Sequence, residues 1–193
     1  MRLMWKYKYE IDDSILEKNI IEMEETYKIK FPEIYKNMIR EKSTTVLSSD
    51  VMMKGYTDPT DRYSLEFESF DFNEEYNFKS SNIRNSDVRP KGLVFFWSTS
   101  GGEHYGFDFK DNPDNPKIVY YNHSIVPPRD NFEEDGIFGD KIDEEQRKLY
   151  EVRYDNIEEF YNHLEVAQKY WIEEEYGSED SEELKEYIKD RCV

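Results

Sequence analysis

Residues 96–109, FWSTSGGEHYGFDF, hold most of the side chains in this chain that suggest chemistry. The chain has three histidines, His104, His123 and His163, and with Glu103 or Asp108 they would supply donors for a divalent metal. His104 and Asp108 are four residues apart, which in a strand puts both on one face, but two ligands do not make a site. His163 falls inside the helical pattern IEEFYNHLEVAQKYW, so it belongs to a different element. Ser98 and Ser100 offer hydroxyl nucleophiles, yet no Gly-x-Ser-x-Gly elbow surrounds them and a strand-turn-strand context does not build one. Gly101 and Gly102 suggest a phosphate cradle, but no helix follows them and no Walker lysine is present. Glycine at a hairpin turn, where positive φ is required, explains the pair more simply. Carboxylates are so abundant that paired Asp and Glu carry no glycosidase signal. The reading is a chain without a catalytic constellation, metal site or cofactor, and therefore not an enzyme.

The elements that position these residues follow from periodicity. Ser14 with Glu17 makes a capping-box pattern, and Leu16, Ile20, Met23 and Tyr27 fall at helical spacing, which predicts a helix over 14–27. Pro32 in the first turn and the stripe Ile34, Tyr35, Met38 and Ile39 predict a short second helix. The stretch 43–60 is polar. In LEFESFDF, Leu65 and Phe67 share a face and the phase changes before Phe70 and Phe72, as in a strand with a bulge or break. Residues 73–91 read as irregular. GLVFFW, YGFDFK and KIVYYN are three further strands; in the second, Tyr105, Phe107 and Phe109 alternate with Gly106, Asp108 and Lys110. About half of the strand aromatics should face inward, and the other half are candidate anchors for a partner. Residues 122–148 read as an exposed loop with a helical turn in DEEQRK, and YEVRY as a last strand. Asn156 and Glu159 repeat the capping pattern ahead of a helix carrying Ile157, Phe160, Tyr161, Leu164, Gln168 and Trp171. After Gly177, Leu184, Tyr187 and Ile188 mark a short final helix. The order gives an α+β fold: a central antiparallel β-sheet flanked by N-terminal and C-terminal helices and covered on one face. Residues 1–172 form one domain and 173–193 an acidic helical extension packed on it or appended to it.

Composition sets the class of partner. Of 193 residues 16% are aromatic, enough to build a core from Phe, Tyr and Trp despite few aliphatics. The N-terminus has no signal-peptide pattern and no run of about 18 apolar residues occurs, so the expectation is a soluble, cytoplasmic protein. A single cysteine, Cys192, excludes intramolecular disulfides and cysteine-based zinc sites. Net charge is −18, and residues 101–193 hold 26 of the 44 acidic side chains against 11 of the 26 basic ones. Such a field repels nucleic acid and anionic lipid and steers a basic protein toward the chain. Glu103, the loop acids Asp130, Glu133, Glu134 and Asp135, and the helix-end triplet Glu173, Glu174 and Glu175 are the candidate partner-binding residues, because loops and helix ends are accessible. Solvation alone is the plainer role for any one of them.

The ordered motifs carry a resemblance. IEMEETYKIKFPEIYKNMI places a hydrophobic-Pro-x-x-Tyr helix (Phe31, Pro32, Glu33, Ile34, Tyr35) after an amphipathic one. A Gly101–Gly102 hairpin then runs into Tyr105, Gly106, Phe107 and Asp108, and KIVYYN and NIEEFYNHL follow. Over roughly residues 14–165 this order resembles the SUKH superfamily. It departs at REKSTT, where members carry Asn-Gly, and in long insertions at 43–64 and 122–148. The resemblance implies a non-enzymatic bacterial immunity protein that neutralises a polymorphic toxin, often a basic nuclease, by tight binding. A regulatory scaffold of the same fold is the alternative.

Overall fold

The computed structural model describes residues 5–8, 10–46, 65–99 and 101–191. Ser100, Cys192 and most of the polar stretch 43–60 lie outside them. Among the described residues seven strands form one sheet: β1 (Trp5–Lys8), β2 (Ser43–Val46), β3 (Leu65–Phe67), β4 (Leu93–Thr99), β5 (His104–Asp108), β6 (Lys117–Tyr121) and β7 (Glu151–Tyr154). Their spatial order equals their chain order and every neighbouring pair is antiparallel, so the sheet is a meander. The α+β reading of a central antiparallel sheet flanked by helices is therefore right. The strands β1 and β2, which carry no clear alternation, are additions to it.

The first face of the sheet holds the larger core. Helix α1 (Asp13–Tyr27) contributes Leu16, Ile20 and Met23, and α2 (Glu33–Arg40) contributes Tyr35, Met38 and Ile39. Asp12, not Ser14, caps α1: its carboxylate accepts from the Ser14 N–H at 2.8 Å, while Glu17 turns outward to Arg40. Pro32 is the N-cap of α2, and Ile34, counted in the apolar stripe, is 36% exposed. The turn between the two helices is held by buried Glu24, which accepts from the Phe31 N–H at 2.8 Å and pairs with Lys30. Helix α6 (Ile157–Tyr176) adds Ile157, Phe160 and Leu164, capped by Asn156 as its sequence pattern indicated. Aromatic rings lock this layer to the sheet: Tyr35 meets Phe107 edge-on at 4.9 Å, and Trp97 meets Phe160 at 4.9 Å. Each fully buried ring is worth roughly 1.5–3 kcal/mol over an exposed one.

The alternation in β5 holds, with Tyr105, Phe107 and Phe109 all in this core. In β4 the register shifts between Phe95 and Trp97, so the consecutive residues Phe96 and Trp97 both reach the first face.

The second face is covered too. Leu93, Phe95, Val119, Tyr121, Val126 and Tyr150 form a separate buried cluster with Val88. The segment read as an exposed loop supplies Val126 to that cluster and folds into α4 (Arg129–Glu134) and α5 (Asp140–Lys148). Gln146 donates to the Asp87 carbonyl, Arg147 pairs with Asp108 of β5, and the Tyr150 hydroxyl donates to the Val88 carbonyl at 2.9 Å. The outward aromatics are consequently not anchors for a partner: Phe95 is 0% and Tyr121 5% exposed. The stretch read as irregular contains α3 (Phe78–Arg84), closed by an Asn77–Ser80 capping box. After Gly177, α7 (Glu182–Arg191) buries Leu184 and sets Tyr187 against Trp171 and Tyr176.

Candidate functional site

The hairpin that drew attention as chemistry is a structural turn. The Gly102 N–H bonds the Thr99 carbonyl, the Thr99 N–H bonds the Glu103 carbonyl, and Gly102 sits at φ +89°, a region that favours glycine. The Glu103 carboxylate folds back onto the Thr99 hydroxyl, and a Cβ at Gly101 would stand 2.5 Å from that carboxylate. Glu103 is therefore held within the hairpin and only half-exposed.

His104 leaves the hairpin and points into a polar cleft of about 420 Å³ between α3 and strands β3 to β5. Its ring stacks on Phe95 at 4.7 Å. The Asn85 amide nitrogen lies 3.4 Å from Nε2 and donates there, which leaves the ring proton on Nδ1. Nδ1 has no hydrogen-bond partner and stands 4.0 Å from the carboxylate of Glu68, whose side chain is 7% exposed. Burial pushes His104 down to about 4, opposed by Glu103 and helped by Arg84 and His123, so the ring is neutral at ordinary pH. Glu68 accepts from the Ser81 hydroxyl at 3.0 Å. Tyr76, Glu74 and Arg84 are exposed and form the rim, with the Arg84 guanidinium 5.2 Å above the Tyr76 ring.

The remaining histidines are elsewhere. His123 is exposed beside the Gly102 turn, and His163 meets the Tyr154 ring on α6. His104 and Asp108 do share a face, but Asp108 is engaged by Arg147. Among the described residues no group of three or more His, Cys, Asp or Glu is arranged to hold a metal ion.

The candidate acids are not brought together. Asp130, Glu133 and Glu134 lie on α4 and Asp135 at its C-cap, all exposed, on a helix that buries no residue of its own. Glu173, Glu174 and Glu175 are exposed in the last turn of α6, Glu173 within 3.8 Å of Lys169. The first group lies on a helix that contributes to neither buried cluster, and the other on a helix of the first core. The cleft residues Glu68, Ser81 and Asn85 are absent from the sequence-based candidates. The only local signal for them was Asn77 followed by Ser80, a cap for the helix that carries two of them.

No curated protein and no solved structure matches the chain significantly. A family model described as SMI1-KNR4 cell-wall, of the SUKH group, matches residues 17–160. That span runs from the second turn of α1 to the first turn of α6 and takes in strands β2 to β7, the hairpin and the cleft. With most of its length matched and the meander sheet flanked by helices in the expected order, the chain belongs to the SMI1-KNR4 family of the SUKH superfamily.

Proposed function

We propose that this chain is a bacterial immunity protein that binds a cognate polymorphic toxin, with a basic nuclease domain as its expected partner, and blocks the toxin's active surface. No chemistry of its own enters this reading, and it acts in the cytoplasm. Family membership supports binding as the activity. The observation that carries the choice of partner is the charge: −18 overall, with exposed carboxylates on α4 and at the end of α6. A nuclease is basic where it grips phosphate, and an acidic protein competes for that surface. Asp130, Glu133, Glu134, Asp135, Glu173, Glu174 and Glu175 are the proposed contacts, together with Glu103 of the hairpin. Residues 1–172 make the binding domain and 173–193 its acidic extension. Among the described residues no helix is long and apolar enough to cross a membrane.

The test is a binding and protection experiment with the toxin domain encoded beside this chain. A stoichiometric complex whose association rate falls with added salt, and rescue of cells expressing the toxin, are the expected results. Absence of both sinks the proposal. A regulatory scaffold would instead bind several other proteins weakly and protect nothing.

A further inference from the structure

One phenylalanine stands apart from the core that the others build. All twelve lie among the described residues, and Phe138 is the one that is exposed, at 63%. It sits in the turn DGIFGD between α4 and α5, and hydrogen bonds close that turn. The Gly136 N–H bonds the Glu133 carbonyl and the Ile137 N–H bonds the Phe132 carbonyl at 2.9 Å, the paired bonds of a Schellman turn, with Gly136 at φ +80°. Arg129, the first residue of α4, clasps the start of α5. It pairs with Asp143 at 2.6 Å and reaches the Gly139 carbonyl at 3.4 Å, while Lys91 holds Asp140 at 2.6 Å. Phe138 is thus held out in water by a turn that is pinned at both ends.

Charge around the turn selects what the ring can meet. Residues 129–141 hold five carboxylates and two basic side chains, one of which, Arg129, is engaged by Asp143. Asp130, Glu133, Glu134 and Asp135 are exposed and make no ion pair among the described residues. Nucleic acid and anionic lipid are repelled by such a tip. A neutral membrane would gain from the ring only on the order of a hundredfold in partition, too little to hold the chain. A second copy would bring another 18 negative charges. A basic protein gains from both parts, the ring in an apolar pocket and the carboxylates on its rim.

We infer that Phe138 is the apolar anchor of this chain, inserted into an apolar pocket rimmed by lysine and arginine on a basic protein partner. The inference rests on the reading of the chain as a toxin-binding immunity protein and names the residue on which that complex closes. Helix α4 buries no residue of its own, so what the segment offers lies on its surface. A ring already held in place loses little freedom on insertion. An aromatic side chain that becomes buried inside a polar rim has the makeup of a binding hot spot. Labour is divided accordingly: the carboxylates speed the encounter, and the ring slows the departure.

The test measures association and dissociation of the toxin domain encoded beside this chain, at low and high salt, with the full-length parent, Phe138→Ala and Phe138→Leu. Phe138→Ala should weaken the complex at least about thirtyfold, nearly all of it in faster dissociation and with little dependence on salt. Phe138→Leu should recover most of that loss, because it restores apolar volume. Both variants should unfold thermally at the temperature of the parent, since the side chain is exposed. A toxin domain that binds Phe138→Ala as tightly as the parent overturns the inference and leaves the immunity reading standing. A toxin domain that does not bind the parent removes both. Sedimentation of the chain by itself and flotation with phosphatidylcholine vesicles test the other occupants. A monomer that does not float is expected. A dimer dispersed by Phe138→Ala, or vesicle binding abolished by it, assigns the ring to a second copy or to a membrane and overturns the inference.

Discussion

Asn82 of α3 completes the hydrogen bonding of Phe95 in β4: its amide nitrogen donates to the Phe95 carbonyl at 2.7 Å and its amide oxygen accepts from the Phe95 N–H at 2.8 Å. Both residues are 0% exposed, and the pairing lies at the point where the register of β4 against β5 shifts. A bulge leaves backbone groups without a ladder partner, and here one side chain stands in for a strand. Asn82→Ala strips both partners at once and leaves a buried donor and a buried acceptor. A loss of about 3 kcal/mol is expected in urea unfolding. Asn77→Ala, which removes the α3 cap and the bond from its amide to the Glu74 carbonyl, should cost about 1–2 kcal/mol.

Gly106 is the close-approach glycine of the sheet. A Cβ there would come within 2.9 Å of Leu93 Cδ2 and 3.1 Å of the Val94 carbonyl oxygen, and the backbone atom cannot move aside. Gly106→Ala should destabilise by about 1–3 kcal/mol, and Gly106→Val by more. Equilibrium unfolding of the two variants checks the order.

His104 makes stability depend on pH in a definite direction. Its folded value, about 4, lies below the ordinary 6.5 because the ring is buried. Between those values the unfolded chain binds a proton that the folded chain does not. Its contribution is therefore full above about pH 6.5, is lost as pH falls toward 4, and changes no further below that. The loss across this window is on the order of 3 kcal/mol. His104→Gln should flatten the difference, read as unfolding free energy of parent minus variant at several pH values. A parallel pair of curves would show that the ring does not titrate this way.

The two acidic groups lie on separate helices, α4, which buries none of its own residues, and the end of α6, so they should not act equally on a single basic partner. Charge reversal of Asp130, Glu133 and Glu134 on the solvent-facing α4 should slow association about tenfold at low salt, and the effect should fade as salt rises. Reversal of Glu173 to Glu175, with Lys169 close by, should slow it less. Stopped-flow association over a salt series distinguishes the two.

Much of the fold was legible because periodicity reports which side of an element meets a core. Tyr105, Phe107 and Phe109 alternate, and Ile157, Phe160 and Leu164 fall at helical spacing, and both sets are buried as their spacing implies. Burial of both faces of the sheet was not legible, since GLVFFW is a continuous apolar run that fits one buried face or two. Helices α4 and α5 bury few residues and leave almost no stripe, so DNFEEDGIFGDK reads as loop. The cleft was invisible for another reason. Glu68, Asn85 and His104 come from β3's end, α3's C-cap and β5, and no spacing in the chain connects them.

The sequence by itself determined the class of protein: an α+β chain of the SUKH kind, strongly acidic, with a glycine, Gly102, at a hairpin turn where positive φ is needed. These are local properties, set by side-chain type, periodicity and turn geometry within a few residues. Tertiary structure alone decided that Glu103 is tied into its hairpin, that the acidic clusters lie apart, and that a buried carboxylate and a neutral histidine share a cleft. Those depend on distances between elements far apart in the chain, and on desolvation, which exists only once the elements have packed.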